Sequence, residues 1–177
     1  MNFNELFQEI APEEVRDNVF ALAGKDFFAI TAGGKNHYNA MIGSGGGFGL
    51  LFKKPFAFCI LRQDRYTLEL MRETGTYTLS YFPEGYKEKA LVLGGQSGRD
   101  SDKMRNVELT ALETPSGEMT FAEARLIFAC RLTQLTTPLP DDFCATEAST
   151  YIREMYKDKN EYRLYVFGEI THVWAKR

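Results

Sequence analysis

The sequence is poor in the side chains that most often build catalytic centres. Its 177 residues include two histidines and three cysteines. Neither His37 nor His172 belongs to an H-x-H or H-E-x-x-H pattern, which argues against a zinc site built by the chain itself. Cys59, Cys130 and Cys144 are odd in number, far apart and without a C-x-x-C pair. Cys59 and Cys130 stand in apolar runs and read as small buried hydrophobes of a reducing compartment, which predicts a cytoplasmic protein with no catalytic thiol. No apolar run approaches the roughly 18 residues that a membrane helix needs. Like charges form no block, and the net charge of -3 offers no basic stripe for nucleic acid. The opening "MNFNELFQEIAPEEV" carries four glutamates and no basic residue, unlike a secretory signal.

Aromatics are abundant, with 14 Phe and 9 Tyr, and 44% of residues are hydrophobic. That suits one domain over residues 1–177 with an aromatic-rich sheet core. The spacing of Phe3, Leu6, Phe7 and Ile10 predicts a short helix. "NVFALAG" and "DFFAITAGG" predict two strands joined by a tight hairpin near Gly24-Lys25. A strand at "NHYNAMIG" and a loop at "SGGGFG" follow. "KPFAFCILR" predicts a strand buried on both faces. "YTLELMRETG" shifts to helical spacing, with Thr67 as N-cap and Gly75 just past the end. "TYTLSYF" is a strand, and "PEGYKEKALVLGG" is a helix with Pro83 near its start. A long strand at "EARLIFACRLTQLTTPL", a helix at "DDFCATEASTYIREMY" capped by Asp141 or Asp142, and a final strand at "YRLYVFGEITHVWAK" complete the chain. Strands outnumber helices without strict alternation, so the fold class is mainly β with packed helices: an antiparallel barrel or sandwich.

Two nucleotide fingerprints fail. "GSGGGF" has Phe48 where G-x-G-x-x-G needs glycine, and "AGGKN" lacks the hydroxyl residue that follows a P-loop lysine. Two other segments carry phosphate chemistry. In "LRQDRYTLEL", Arg62 and Arg65 lie where a strand turns into a helix whose N–H groups and dipole favour anions. Arg65 could equally pair with Asp64 or Glu69. In "LVLGGQSGRDSDKM", Ser97, Arg99, Ser101 and Lys103 supply donors and charge. The same letters would also make a solvated turn before a short helix capped by Asp102.

From "NHYNAMIG" through "SGRDSDK" the chain resembles the flavin reductase-like family, and within it the flavoredoxin-type proteins. The family shows an N-x-M-T segment, a glycine-rich loop with K-P, then R-x-x-R-Y-T, F-T-L-S-x-F and G-x-x-S-G-R-D-x-D-K, in that order. "LYVFGEITHVW" is similar to its closing G-E-I strand. The resemblance implies a split β-barrel that binds FMN, as a homodimer with the flavin near the subunit interface. It places Asn39 by the flavin ring and gives Thr67 and Lys103 a part in holding the cofactor. Arg62, Arg65 and Arg99 match the motif arginines, and Tyr66 the motif tyrosine. Backbone N–H groups from Ala40 and Met41 to Ser44 would meet the ring's oxygen and N5 edge. Two positions depart from the pattern: Ile42 replaces the threonine of N-x-M-T, and Phe48 stands where a tryptophan is common.

The implied activity is an FMN-bearing oxidoreductase, with NAD(P)H giving hydride to the flavin or, in the flavoredoxin branch, a redox protein giving electrons. Two alternatives belong to other classes: a non-catalytic flavin-binding protein, and a structural split barrel without ligand.

Overall fold

The computed structural model describes residues 2–95, 97–99, 103–157 and 162–177. Two long strands run through its centre, β9 (Leu126–Thr136) and β10 (Leu164–Lys176), paired antiparallel with register shifts at Phe167/Gly168 and Ile170/His172. The far edge of β10 is shared. Its first half, Leu164 to Glu169, pairs with β5 (Lys54–Leu61), and its last residues, Val173 to Lys176, pair with β1 (Phe7–Ile10). β9 carries β6 (Thr76–Tyr81), then β2 (Phe28–Gly34) and β3 (His37–Gly43). β4 (Gly46–Leu51) lies outside β5. All pairings are antiparallel, and the order β3-β2-β6-β9-β10-β5-β4 leaves the sheet unclosed among the described residues. The mainly β class with packed helices read from the sequence is the class observed.

Alternation along each strand sends side chains to two cores. On β9, Leu126, Phe128 and Cys130 join the core that includes Phe28, Ile30, Tyr77 and Val166. Ile127 and Ala129 face the opposite core, with Phe3, Phe7, Phe121 and Trp174. Helix α2 (Tyr66–Thr74) closes the first core with Leu68 and Met71, both fully buried. It ends at Gly75, whose φ of 72° and N–H to the Met71 carbonyl make the left-handed stop that the sequence indicates. Burial pushes the Cys59 and Cys130 thiols well above their usual pKa, so both stay protonated.

Several local expectations are corrected. The opening helix stops early: α1 (Phe3–Leu6) gives way to β1, because the free edge of β10 offers Phe7 to Ile10 a ladder. Residues 19–25 form a wide helical turn, not a strand. Asn18 caps it by accepting from the N–H groups of Phe20 (2.9 Å) and Ala21 (3.1 Å). The hairpin therefore forms one strand later, between β2 and β3.

"SGGGFG" is mostly strand β4, not loop. Its glycines make room for rings: a Cβ on Gly47 would stand 2.6 Å from Phe58 Cε1, and one on Gly49 3.1 Å from Phe56 Cε1. β5 is buried on one face only. Ala57, Cys59 and Leu61 are inside, while Phe56, Phe58 and Ile60 are half-buried. Phe52 and Lys53 close the β4–β5 hairpin with φ of 52° and 65°. That two-residue turn normally selects Asn or Gly, so its sequence gives no warning of it.

"PEGYKEKALVLGG" is a shorter helix than expected, α3 (Lys87–Leu91) between two tight turns, with Pro83 capping the first. α4 (Lys103–Asn106) follows. Asp102, its expected cap, and Ser101 lie outside the described residues. β7 (Ala111–Glu113) and β8 (Met119–Phe121) form a small separate hairpin that the sequence reading leaves unassigned. α5 (Thr146–Tyr156) starts after Ala145, four residues later than expected from an Asp141 cap. Asp142 instead accepts from the Leu139 N–H at 2.6 Å and caps a preceding tight turn.

The G-E-I segment of β10 has two packing roles. Glu169 accepts from Lys54 Nζ on β5 (2.8 Å) and Arg131 Nη2 on β9 (2.5 Å), and these cations hold its pKa below the usual range. Gly168 sits against Tyr77: a Cβ there would be 2.3 Å from the Tyr77 hydroxyl and 2.9 Å from Cys130 Cβ. Among the described residues that hydroxyl is buried without a nitrogen or oxygen partner, beside the Cys130 thiol. Gly168→Ala should therefore destabilise the protein by about 1–3 kcal/mol, as overpacking does. Tyr77→Phe should recover part of that loss in the double variant. Urea unfolding of the four proteins of the cycle measures both effects.

Candidate functional site

The site is built where α2 begins. Arg65 occupies the cap position with extended backbone, and no side chain caps the first turn. The N-terminal N–H groups of a nine-residue helix are thus presented without a side-chain acceptor. Thr67 is not the cap predicted from the sequence. It is the second residue of the helix, 1% exposed, and its Oγ1 accepts from Asn39 Nδ2 at 2.9 Å. This bond ties α2 to β3 in a buried setting, where an unsatisfied amide would cost more than the bond itself contributes. Gly98 packs on the same amide: a Cβ there would lie 2.1 Å from Asn39 Oδ1. The glycine of "SGRDSDK" is thus fixed by a side chain from β3.

These elements enclose a cavity of about 270 Å³ lined by Asn39, Met41, Ile42, Arg65, Tyr66, Thr67, Ser97, Arg99 and Lys103, together with Asp64, Leu93 and Gly94. Lys103 is 5% exposed and donates from Nζ to the Leu93 carbonyl at 2.9 Å. Burial, and then the charge of Arg65, push its pKa down to about 8. The arginines divide their work. Arg62 pairs with Asp64 (2.5 Å) at the surface. Arg99 pairs with Glu69, donates to the Asp64 carbonyl at 3.0 Å, and lies 5.4 Å from the Tyr66 ring centroid. Both acids that could have neutralised Arg65 are taken, and its guanidinium has no ion-pair partner among the described residues.

Four of the residues singled out from the sequence, one of them Ala40 for its backbone N–H, are not among those that line this cavity. Ala40 is buried in the second core. Phe48 packs on Phe128, with centroids 4.8 Å apart. Ser44 lines a different cleft, and Arg62 is outside the cavity wall. The sequence reading overlooked His37, whose Nε2 is 2.6 Å from the Tyr66 hydroxyl. Both line an adjoining cleft of about 650 Å³ that Met104 and Arg105 also line, and Tyr66 lines the cavity as well. Only the scarcity of histidine could have drawn attention to it.

A buried lysine, an arginine without an acidic partner among the described residues and a helix start without a side-chain cap line this cavity, a donor set that could hold an anion such as phosphate. Comparison with known proteins gives this pocket its context. The profile of the flavin reductase like domain matches residues 46–177, and the chain belongs to that family. The match leaves out β2 and β3, and Asn39 with them.

An FMN-binding protein from Thermus thermophilus superposes with a TM-score of 0.65 at 17% identity, over 95% of this chain and 77% of its own. An FMN-binding domain of a flavin reductases-like enzyme from Shewanella baltica gives 0.68 at 16% identity, over 96% and 76%. The flavoredoxin of Desulfovibrio vulgaris gives 0.63 at 19% identity, over 85% and 69%. At these identities the likeness shows the fold, the split barrel of flavin reductase-like proteins. No curated protein matches the chain.

The lowered pKa of Lys103 has a consequence for stability. The folded protein releases this proton near pH 8, whereas the unfolded chain holds it to about 10.5. Between these values the unfolded state binds more protons, so stability rises with pH. Lys103→Met lacks this dependence. Its stability relative to wild type, from urea midpoints at pH 7.5 and 9.5, should be greatest at the lower pH. A difference independent of pH would refute the assignment.

Proposed function

We propose that the chain is an FMN-dependent oxidoreductase of the flavin reductase and flavoredoxin kind, acting as one domain over residues 1–177 in the cytoplasm. The observation that carries this reading is the anion pocket at the start of α2, found in a chain of this family. The donor set fits a phosphate monoester. The N–H groups at the start of α2 would meet it, Lys103 and Arg65 would balance its charge, and Ser97 would add a hydroxyl. The cavity wall also includes Asn39, Met41 and Ile42, a polar and apolar surface suited to a flavin ring. Bound FMN would supply the redox chemistry, taking electrons from NAD(P)H or a redox protein and giving them to an acceptor.

The chain's own residues bind and position. Asn39 is held at a fixed angle by Thr67, and Gly98 gives it room. Arg99 braces the Tyr66 wall through Glu69. Ile42, in place of a hydroxyl residue, gives the ring an apolar neighbour, and its side chain packs against Gly94.

We further propose a homodimer. Leu50 and Phe52 at the tip of the β4–β5 hairpin are 74% and 86% exposed, and Phe56, Phe58 and Phe167 are half-buried on the face beside them. A second copy over this face would remove apolar area from water. Light scattering at micromolar concentration with FMN saturated should give twice the chain mass; a monomer would refute this.

The phosphate assignment has a sharper test. Lys103→Ala should weaken FMN binding by roughly tenfold to a hundredfold, a charge-assisted contact being worth about 1.5–3 kcal/mol. Riboflavin, which lacks the phosphate, should bind nearly as before. Equal weakening of both would make Lys103 a structural residue. No change for either would remove the pocket from the reading. A yellow protein whose flavin is bleached by neither NADH, NADPH nor a reduced redox protein would favour the non-catalytic alternative.

A further inference from the structure

We infer that the cleft between α5 and the outer face of the β5–β10 pair binds a small planar aromatic anion. The cleft encloses about 510 Å³, within the roughly 300–1,000 Å³ of ordinary small-molecule sites. Tyr151 and Met155 on α5 line it together with Tyr162, just before β10, and Tyr165 on β10. Tyrosine rings and a thioether are polarisable surfaces that favour a flat aromatic partner.

The aromatic wall is braced. Tyr156 meets Tyr162 edge-on at 5.1 Å, and Tyr165 lies nearly parallel to Phe58 at 6.1 Å. The Tyr162 carbonyl accepts from Gln63 Nε2 at 3.0 Å, which anchors the rim to the segment before α2. Tyr151 nonetheless remains 63% exposed.

Charge selects the occupant. Arg163 is the one charged side chain among the described residues that line the cleft, and it has no ion-pair partner among them. A guanidinium fork in a cleft that tyrosines also line matches a carboxylate or similar planar anion. An uncharged aromatic would leave that fork unused. The cleft is distinct from the anion cavity but close to it. Ser44 lines the cleft, two residues beyond Ile42, which lines the cavity; extended chain covers that step in roughly 7 Å. The inference does not depend on flavin, and binding should be seen with or without FMN.

The test titrates the full chain with 2-naphthoate and with its uncharged isostere 2-naphthamide, by calorimetry or naphthyl fluorescence. The carboxylate should bind roughly tenfold more tightly than the amide. Arg163→Gln, at an exposed position, should bring naphthoate to the level of naphthamide and leave naphthamide unchanged. Ile152→Trp, which fills the cleft, should abolish both with the melting temperature preserved. Lys103→Ala should leave naphthoate binding intact while FMN binding falls, which separates this cleft from the flavin cavity.

Equal affinity for acid and amide, indifference to Arg163→Gln, or loss of naphthoate in Lys103→Ala would each overturn the proposal. So would a Tyr151→Arg variant that changes the light-scattering mass but not naphthoate affinity, since the occupant would then be a second copy of the chain.

Discussion

A strand in the middle of a sheet has two edges, and both edges of β10 are in use. One is given wholly to β9, the other is divided between β5 and β1. This division is what makes the sheet a split barrel rather than a flat layer: the strand must bend where its neighbours change. The register shifts fall there, flanking Gly168 to Ile170, and bulges of this kind raise local twist. Tyr77 fills the space inside the bend so closely that only hydrogen fits at Gly168. The two cores, the aromatic outer face and the edge strand β4 follow from this crossing.

The cavity depends on a second constraint, a contest among cations for two acids. Asp64 and Glu69 lie within one turn of the start of α2 and would neutralise whatever sits beside them. Arg62 and Arg99 occupy them, and Arg65 is left facing the cavity with Lys103. In a chain of net charge -3, two cations thereby line one pocket. The tie between Asn39 and Thr67 then sets the spacing between the helix start and β3, so the floor and wall of the pocket are not independent.

Much of this was legible in the sequence because the signals were local. Gly75 as a helix stop, the existence of β5, β6 and β9 as strands, and the phosphate chemistry of the Arg62–Arg65 and Ser97–Lys103 segments were readable from spacing and residue type. What was missed depends on partners far along the chain. Phe7 to Ile10 have helical spacing, yet they become strand because the end of β10 needs a partner more than 160 residues away. The glycines of β4 resemble a loop, and only the rings of Phe56 and Phe58 show why glycine is placed in a strand. Asn18 signalled a cap that went unread. Thr67 was rightly singled out but misassigned: its hydroxyl serves Asn39, a relation between residues 28 positions apart that helix rules do not contain. The resemblance to a family supplied the order of the motifs; the division of labour among the arginines could come only from coordinates.

The place of β10 in the chain also shapes how the protein reaches its fold. Every strand that β10 joins is synthesised before it, so β5 and β1 have no central partner until β10 has emerged. Before that, β9 can pair with β6, β2 and β3, while the β4–β5 hairpin stands alone with Phe56, Phe58 and Phe52 unprotected. Pairings of such long sequence separation are slow to form, and exposed edges and rings of this kind attract other chains meanwhile. The period before the last strand docks is therefore when the protein is most exposed to aggregation, and the hairpin rather than the cavity is where it would begin.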